Sequence, residues 1–439
     1  MSMHVSMGRA AAALLLLIGT IVPGFSWAGP LPAQSEEPVL IQGSQLPALA
    51  GARIDRLGVF AYRGGFAPIP FQVDERDPNG HWVLRSGPNP TQDVDQGRLD
   101  ANDEMVFMAS DLADRAPEGQ RPESGKPCLE VRARDPESPA EGYAYVCAFE
   151  SQPKLSKVDY ADFEATPQGW LVKTPFYQVG GLEGASYFDR LNLVGKDGRA
   201  SDNLLDTQKV RGILSLSGEG KRLRITERNG KTQSRGWCDG PVRVIRVRSG
   251  MVKVAGLEIT VPGFAANFHY RSFFMTPLNF DMPLNVNLLF KYLNYSTTLD
   301  YSPAVYGWRY FDARRPAGLP VNGVMDETEK QLQPEGTHEW YDLSGKPGNV
   351  LVRIVMGPGW GGSVIPILYY LDDASVNDPP ENIPGACRFG FQFKMIQAIP
   401  KGAHRYDLYY FFPRDPSSET RDHLFRIMDA PLKIEISGP

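Results

Sequence analysis

Apolar and polar positions alternate in short bursts along most of the chain, and few stretches repeat with the period of a helix. Period-two alternation puts one side of a strand against a core and the other towards solvent. Residues 53–60, 69–75, 81–84 and 104–109 read this way, followed by 129–133 and 143–146. Between 75 and 81 lies Asp77-Pro78-Asn79-Gly80, where proline fixes φ and glycine accepts φ > 0, so a tight turn is expected. Further strands are expected at 169–172, 211–216, 223–227, 242–248, 252–261 and 268–275. The pattern resumes at 349–356, 365–371, 387–396, 405–412 and 433–436. The 242–248 run alternates valine or isoleucine with Arg243, Arg246 and Arg248, with one residue of slack, which predicts one buried face and one basic, solvated face. Two helices are expected, at 285–295 and at 418–428, the second capped by Ser418.

Many short strands and few helices predict an all-β protein of two sandwich-like domains rather than a parallel α/β sheet. The boundaries fall after a signal peptide at 1–28 and a lead-in at 29–37. A first β domain covers 38–152 and a larger one covers 158–439, for which a supersandwich is one available form. The 44 glycines and 37 prolines are spread through the chain, as strand punctuation requires.

The N-terminus reads as an export signal. Arg9 precedes an apolar run from Ala10 to Val22, and Ser26-Trp27-Ala28 supplies small residues for cleavage. The run is short for a membrane span, no cysteine follows it, and no later stretch has the apolar length of a spanning helix. A soluble periplasmic or secreted product is expected. Four cysteines in such a compartment predict two disulfides. Cys128 and Cys147 flank a hairpin, and elimination pairs Cys238 with Cys387. Net charge is −5, from 46 basic and 51 acidic side chains, and no basic stripe points to nucleic acid.

Three clusters offer chemistry. Asp93, Asp95, Asp100, Asn102, Asp103 and Glu104 place six oxygen-bearing side chains in twelve residues, the hard-ligand set that calcium takes. Arg98 at the sixth position excludes an EF-hand, and an acidic turn that bonds its own backbone competes with the calcium reading. A second acidic cluster is Asp372, Asp373, Asn377, Asp378 and Glu381, for which the turn reading is stronger. Eleven aromatics fall within residues 273–311, among them Tyr306 and Trp308, interleaved with Asn279, Asn285, Asn287 and Asn294. Aromatic faces with amide donors suit sugar rings, and Trp360 in a glycine-rich turn would add an exposed platform. The competing reading is a buried seam between layers. His269 and Arg271, sharing a strand face, are the remaining candidates for a ligand or acid–base site. HExxH, GxSxG, P-loop and dinucleotide motifs are absent.

The stretches Ile69-Pro70-Phe71-Gln72-Val73-Asp74-Glu75-Arg76-Asp77 and Leu99-Asp100-Ala101-Asn102-Asp103-Glu104-Met105-Val106-Phe107-Met108-Ala109 resemble a group of exported bacterial proteins of unassigned function. The resemblance covers the first domain and implies export and β structure, not a reaction. Gly240-Pro241-Val242-Arg243 is similar to a strand start in carbohydrate-active supersandwich proteins and transfers no catalytic residue. The expected function is binding of a glycan or cell-envelope polymer by the second domain. A polysaccharide lyase or other sugar-modifying enzyme, and an assembly component binding an envelope protein, are the alternatives.

Overall fold

The run at 242–248 becomes part of Val244–Val254, an inner strand of the largest sheet, and both of its faces are covered. Arg243 and Arg246 are each 1% exposed, so the expected solvated basic face is corrected: other layers pack on it from both sides. The computed structural model describes residue 31 and residues 35–438. Within that span it omits positions 124, 283, 289, 395 and 416 and segments 216–221, 255–256, 333–338, 361–363, 381–382 and 384–386. The expected signal at 1–28 lies outside the described residues.

The protein is all-β and predominantly antiparallel. The large sheet runs in the order Gly230–Asp239, Val244–Val254, Leu257–His269, Phe273–Met282, Gly402–Phe411, Asn349–Met356, Trp340–Ser344, Arg309–Phe311 and Leu319–Pro320. Its inner face meets a five-stranded sheet built on Leu205–Ser215, Tyr292–Tyr301 and Arg388–Lys394, and a four-stranded sheet that includes Gly169–Lys173 and Tyr177–Leu182. Phe274, Tyr301, Tyr310, Tyr341, Phe389 and Tyr410 fill the space between these layers.

A second core lies in the N-terminal part, between Pro38–Gln42, Glu104–Met108 and Gln72–Asp74 on one side and Leu57–Tyr62, Cys128–Arg134 and Glu141–Ala148 on the other. Glu104–Met108 is buried along its whole length. Met105 and Phe107 enter the N-terminal core, while Val106 and Met108 press on the outer face of the large sheet. An unbroken apolar run is what a strand buried on both faces requires. The last strand, Lys433–Ser437, pairs with Cys128–Arg134, so the chain end returns to the N-terminal sheet.

The helix Ser418–Asp429 forms as expected, capped by Ser417 rather than Ser418; the Ser417 hydroxyl accepts from Thr420 N at 3.1 Å. It lies on the outer face through Phe425, which packs on Trp340, and through Arg353, which binds Asp429 at 2.9 Å with both terminal nitrogens. The helix expected at 285–295 is instead a single 3-10 turn, Val286–Leu288, leading into the strand Tyr292–Tyr301. β-branched and aromatic residues from Tyr295 onward favour that strand, which has partners on both edges.

The two halves are joined by a buried ion network. Arg243 Nε and Nη2 donate to Asp74 at 2.9 and 2.7 Å, Nη2 also reaches Glu104, and Nη1 donates to Tyr270 Oη at 2.8 Å. Gln72 completes it. Its amide oxygen accepts from the backbone N–H of Val242 and Arg243, and its amide nitrogen donates to Asp74 at 2.7 Å.

The hairpin disulfide Cys128–Cys147 is present, between directly opposed residues. The second expected bridge is not. Cys238 sits on the outer face with Leu84, Ile245 and Val247, whereas Cys387 lies in the core between the large sheet and its partner, so elimination paired two cysteines from different cores. Burial raises both thiols, Cys238 to about 12 and Cys387 well above its ordinary value.

Alkylation of the denatured, unreduced protein is expected to label Cys238 and Cys387 and to spare Cys128 and Cys147, as read by peptide mass spectrometry; four unlabelled cysteines would contradict this. Arg243→Met leaves Asp74 and Glu104 buried without a counter-charge and is expected to cost about 3–5 kcal/mol of stability in denaturant unfolding. Adding Asp74→Asn and Glu104→Gln should recover a large part of that loss, and a triple variant as unstable as the single one would contradict the ion-network account.

Candidate functional site

The N-terminal strands cover only part of the outer face of the large sheet. Between them and the sheet a cleft of about 750 Å³ remains. Its floor comes from four neighbouring strands: Arg243 and Val247, then Ala266 and Phe268, then Met275, Pro277 and Asn279, then Arg405. Its rim is the segment from Arg76 to Thr91.

The rim is held by local chemistry. Asp77 Oδ1 accepts from the N–H groups of Asn79 and His81 at 2.9 Å each, and Gly80 takes the φ of 80° that the turn needs. Arg76 donates to Gly80 O at 2.8 Å and lies flat over the Trp82 ring, 3.5 Å from its centre. Trp82 in turn meets Phe268 edge-on, with ring centres 5.7 Å apart. Further along, Ser86 and Trp237 exchange two backbone hydrogen bonds, tying the rim to the edge strand Gly230–Asp239. Glycine is required at this crossing, because a Cβ on Gly87 would lie 2.4 Å from Gly236 Cα.

Two of the floor arginines are paired with carboxylates: Arg243 with Asp74 and Glu104, and Arg405 with Asp407 at 2.8 Å. His81 Nδ1 lies 3.2 Å from Asp77. Burial draws the Arg76 guanidinium below its usual range, against the pull of nearby Glu104. Facing the opening are the partly exposed rings of Trp82 and Phe268 and the exposed Leu40 side chain, with Asn89, Thr91 and Asn279 around them and Arg76, Arg235 and Arg405 alongside. Such a surface can stack an apolar ring face and exchange hydrogen bonds with hydroxyl groups.

The residues singled out by sequence do not come together here. Trp360 is 5% exposed and donates from Nε1 to Arg405 O at 2.7 Å; its ring packs among Phe393, His404 and Tyr406, so the expected exposed platform is a core residue. Trp308 is buried against the backbone of Gly345, where a Cβ would lie 2.0 Å from its ring. Tyr306 stays partly exposed and packs over Gly323. With Phe273, Phe274, Tyr301 and Tyr310 also buried, the aromatic segment is largely a seam between layers, and of the described residues in 273–311 only Met275, Pro277 and Asn279 line the cleft. His269 has no exposure, and Arg271 binds Glu36 at 2.6 Å beside Tyr160. These two side chains therefore do not form the acid–base pair considered for them.

The acidic loop divides. Asp93, Asp95 and Asp100 bring carboxylate oxygens within 4.8 Å of one another. Burial, with Asp93 and Asp100 close by, raises the Asp95 carboxyl above its ordinary range. The other three expected ligands have structural roles. Asn102 donates to Asp77 O at 3.1 Å, Asp103 accepts from the N–H groups of Arg76 and Asp100 at 3.0 Å, and Glu104 binds Arg243 and Gln42. A cation here would draw on Asp93, Asp95 and Asp100, short of the six to eight oxygens calcium takes. In the second acidic cluster Asp378 binds Arg211, Arg224 and Arg388, and Asp372 accepts from the N–H groups of Asn322 and Gly323.

No protein-family model matches the chain, and no curated protein matches it. Among solved structures it is similar to an alpha-mannosidase from Enterococcus faecalis V583, with a TM-score of 0.46 and 10% identity over 92% of this chain and 45% of that one. It is likewise similar to a protein in the glycosyl hydrolase family 38 from Enterococcus faecalis, with a TM-score of 0.44 and 10% identity over 92% of this chain and 46% of that one. The chain thus spans less than half the length of either.

Sequence reasoning missed Arg76, Trp82, Asn89 and Phe268 as cleft residues. The available signal was a tryptophan one residue beyond the Asp77-Pro78-Asn79-Gly80 turn, at the start of the short apolar run Trp82-Val83-Leu84. Nothing in the sequence places Phe268 beside it.

Proposed function

We propose that the protein binds a neutral glycan or a neutral segment of a cell-envelope polymer in the outer-face cleft. The observation that supports this most is the joining of an aromatic wall, Trp82 and Phe268, to the exposed amides of Asn89 and Asn279 over a floor whose Arg243 and Arg405 are paired with carboxylates. Sugar rings offer apolar C–H faces to aromatics and hydroxyls to amides, and the carboxylates that hold Arg243 and Arg405 take up the two floor cations that would otherwise draw uronates. The disulfide Cys128–Cys147 supports work in an oxidising compartment, in line with the export signal read at the N-terminus. Among the described residues no helix is long and apolar enough to cross a membrane.

An array carrying neutral and acidic oligosaccharides and cell-wall fragments tests this reading. Binding to neutral sugars is expected. Trp82→Ala should weaken the strongest of them roughly tenfold or more, the scale of a lost central aromatic contact. Asn279→Ala, at an exposed position, should weaken it less without altering the fold. A blank array would favour a protein partner for the cleft. Binding unaffected by both substitutions would move the site elsewhere.

A further inference from the structure

The strand that sends Arg243 to the outer cleft sends Arg246 and Arg248 to the opposite, inner face. Alternation and register place Arg246 between Trp237 and Asn267, and His269 one row away, opposite Val244. The four-stranded sheet closes over them: Trp170 lies with its ring centre 4.2 Å from the Arg246 guanidinium carbon and 6.2 Å from the His269 ring. Phe274 flanks the imidazole at 5.1 Å. Arg246 is 1% exposed and His269 has no exposure, whereas Arg248 keeps part of its surface open.

These buried polar groups lack hydrogen-bond partners. Among the described residues nothing hydrogen-bonds Arg246 Nε or Nη1, either ring nitrogen of His269, Trp170 Nε1, or Asn267 Oδ1. No carboxylate among the described residues forms an ion pair with Arg246; Glu183 acts on it only at longer range, and Arg248 opposes it. Arg243, three residues away, donates from Nε, Nη1 and Nη2, and Arg211 and Arg388 are held by carboxylates. An unpaired buried guanidinium costs several kcal/mol. Six unmatched polar atoms on adjoining residues mark a place where something else supplies the negative charge.

We propose that Arg246, Trp170 and His269 form an oxyanion-binding site between the layers, taking the carboxylate, sulfate or phosphate group of a small ligand. Arg246 Nε and Nη1 are two unmatched donors on different edges of the guanidinium, each able to give a charge-assisted hydrogen bond to such a group. The indole N–H and one imidazole N–H add two more. Asn267 Oδ1 can accept from a ligand hydroxyl, and the partly open Arg248 adds positive charge on the accessible side. Burial, with Arg246 and Arg248 adding to it, holds the imidazole pKa down to about 3, so His269 is neutral, with one nitrogen to donate and one to accept. This site lies on the other side of the large sheet from the cleft and does not rest on the glycan reading.

The full-length protein is titrated with sodium sulfate, sodium phosphate and sodium glucuronate while the thermal midpoint is followed, each against sodium chloride at matched ionic strength. Excluded salts such as sulfate raise the midpoint without saturating. The proposal expects a saturating rise with at least one of the three, shifted at least tenfold to higher concentration in Arg246→Gln and in Trp170→Phe and kept in Trp82→Ala. Trp170→Phe removes the N–H and part of the ring volume while keeping an aromatic face for Arg246, so it remains informative if Arg246→Gln does not fold. Saturation by glucuronate well below the inorganic anions assigns the site to the acidic group of a larger ligand; saturation by sulfate or phosphate first assigns it to a free oxyanion. A rise that never saturates, no rise, or equal saturation in wild type and both inner-face variants overturns the proposal.

Discussion

The structure turns on one buried guanidinium. Arg243 reaches out of the large sheet into the N-terminal strands and is met there by Asp74, Glu104 and, through the backbone, Gln72. Two carboxylates and one cation taken out of water are costly, and only a matched set of hydrogen bonds makes the arrangement tolerable. Because the match depends on position, the network fixes where the N-terminal sheet sits. Burial of Val106 and Met108 against the large sheet adds roughly 1.5–3 kcal/mol for each side chain, without specifying register. The cleft exists because this docking covers part of the outer face and leaves the remainder open beneath Arg76 and Trp82.

The same residues give a physical meaning to the stretches that resemble other exported proteins. In 69–77 and 99–109 the polar positions are used for docking and turn formation. Gln72, Asp74 and Glu104 hold Arg243, Glu75 accepts from Arg85, and Asp103 accepts from the backbone of Arg76 and Asp100. The acidic character that suggested calcium is in good part the counter-charge of a seam.

All-β architecture, the hairpin disulfide and the Ser418–Asp429 helix were legible from period, turn residues and spacing, which are local properties. Apart from the helix expected at 285–295, the misreadings concern which layer covers a face. Arg243 and Arg246 look like a solvated stripe until an N-terminal sheet and a third sheet are placed over them. Trp360 among glycines looks exposed until Arg405 O and Phe393 enclose it. Cys238 and Cys387 look like a pair until each is assigned to its own core. The cleft was the least legible feature, since its rim and floor lie more than 150 residues apart and meet only through docking.

One sheet therefore carries, on one face, a cleft whose floor arginines Arg243 and Arg405 are held by carboxylates and, on the other, a cluster of unmatched donors. The most direct test of the account is hydrogen–deuterium exchange of the protein with and without a neutral oligosaccharide selected on an array. The account predicts that residues 76–91 and 266–279 slow together, because rim and floor share one ligand. Protection confined to 292–311, or changes in rim and floor that do not occur together, would contradict it.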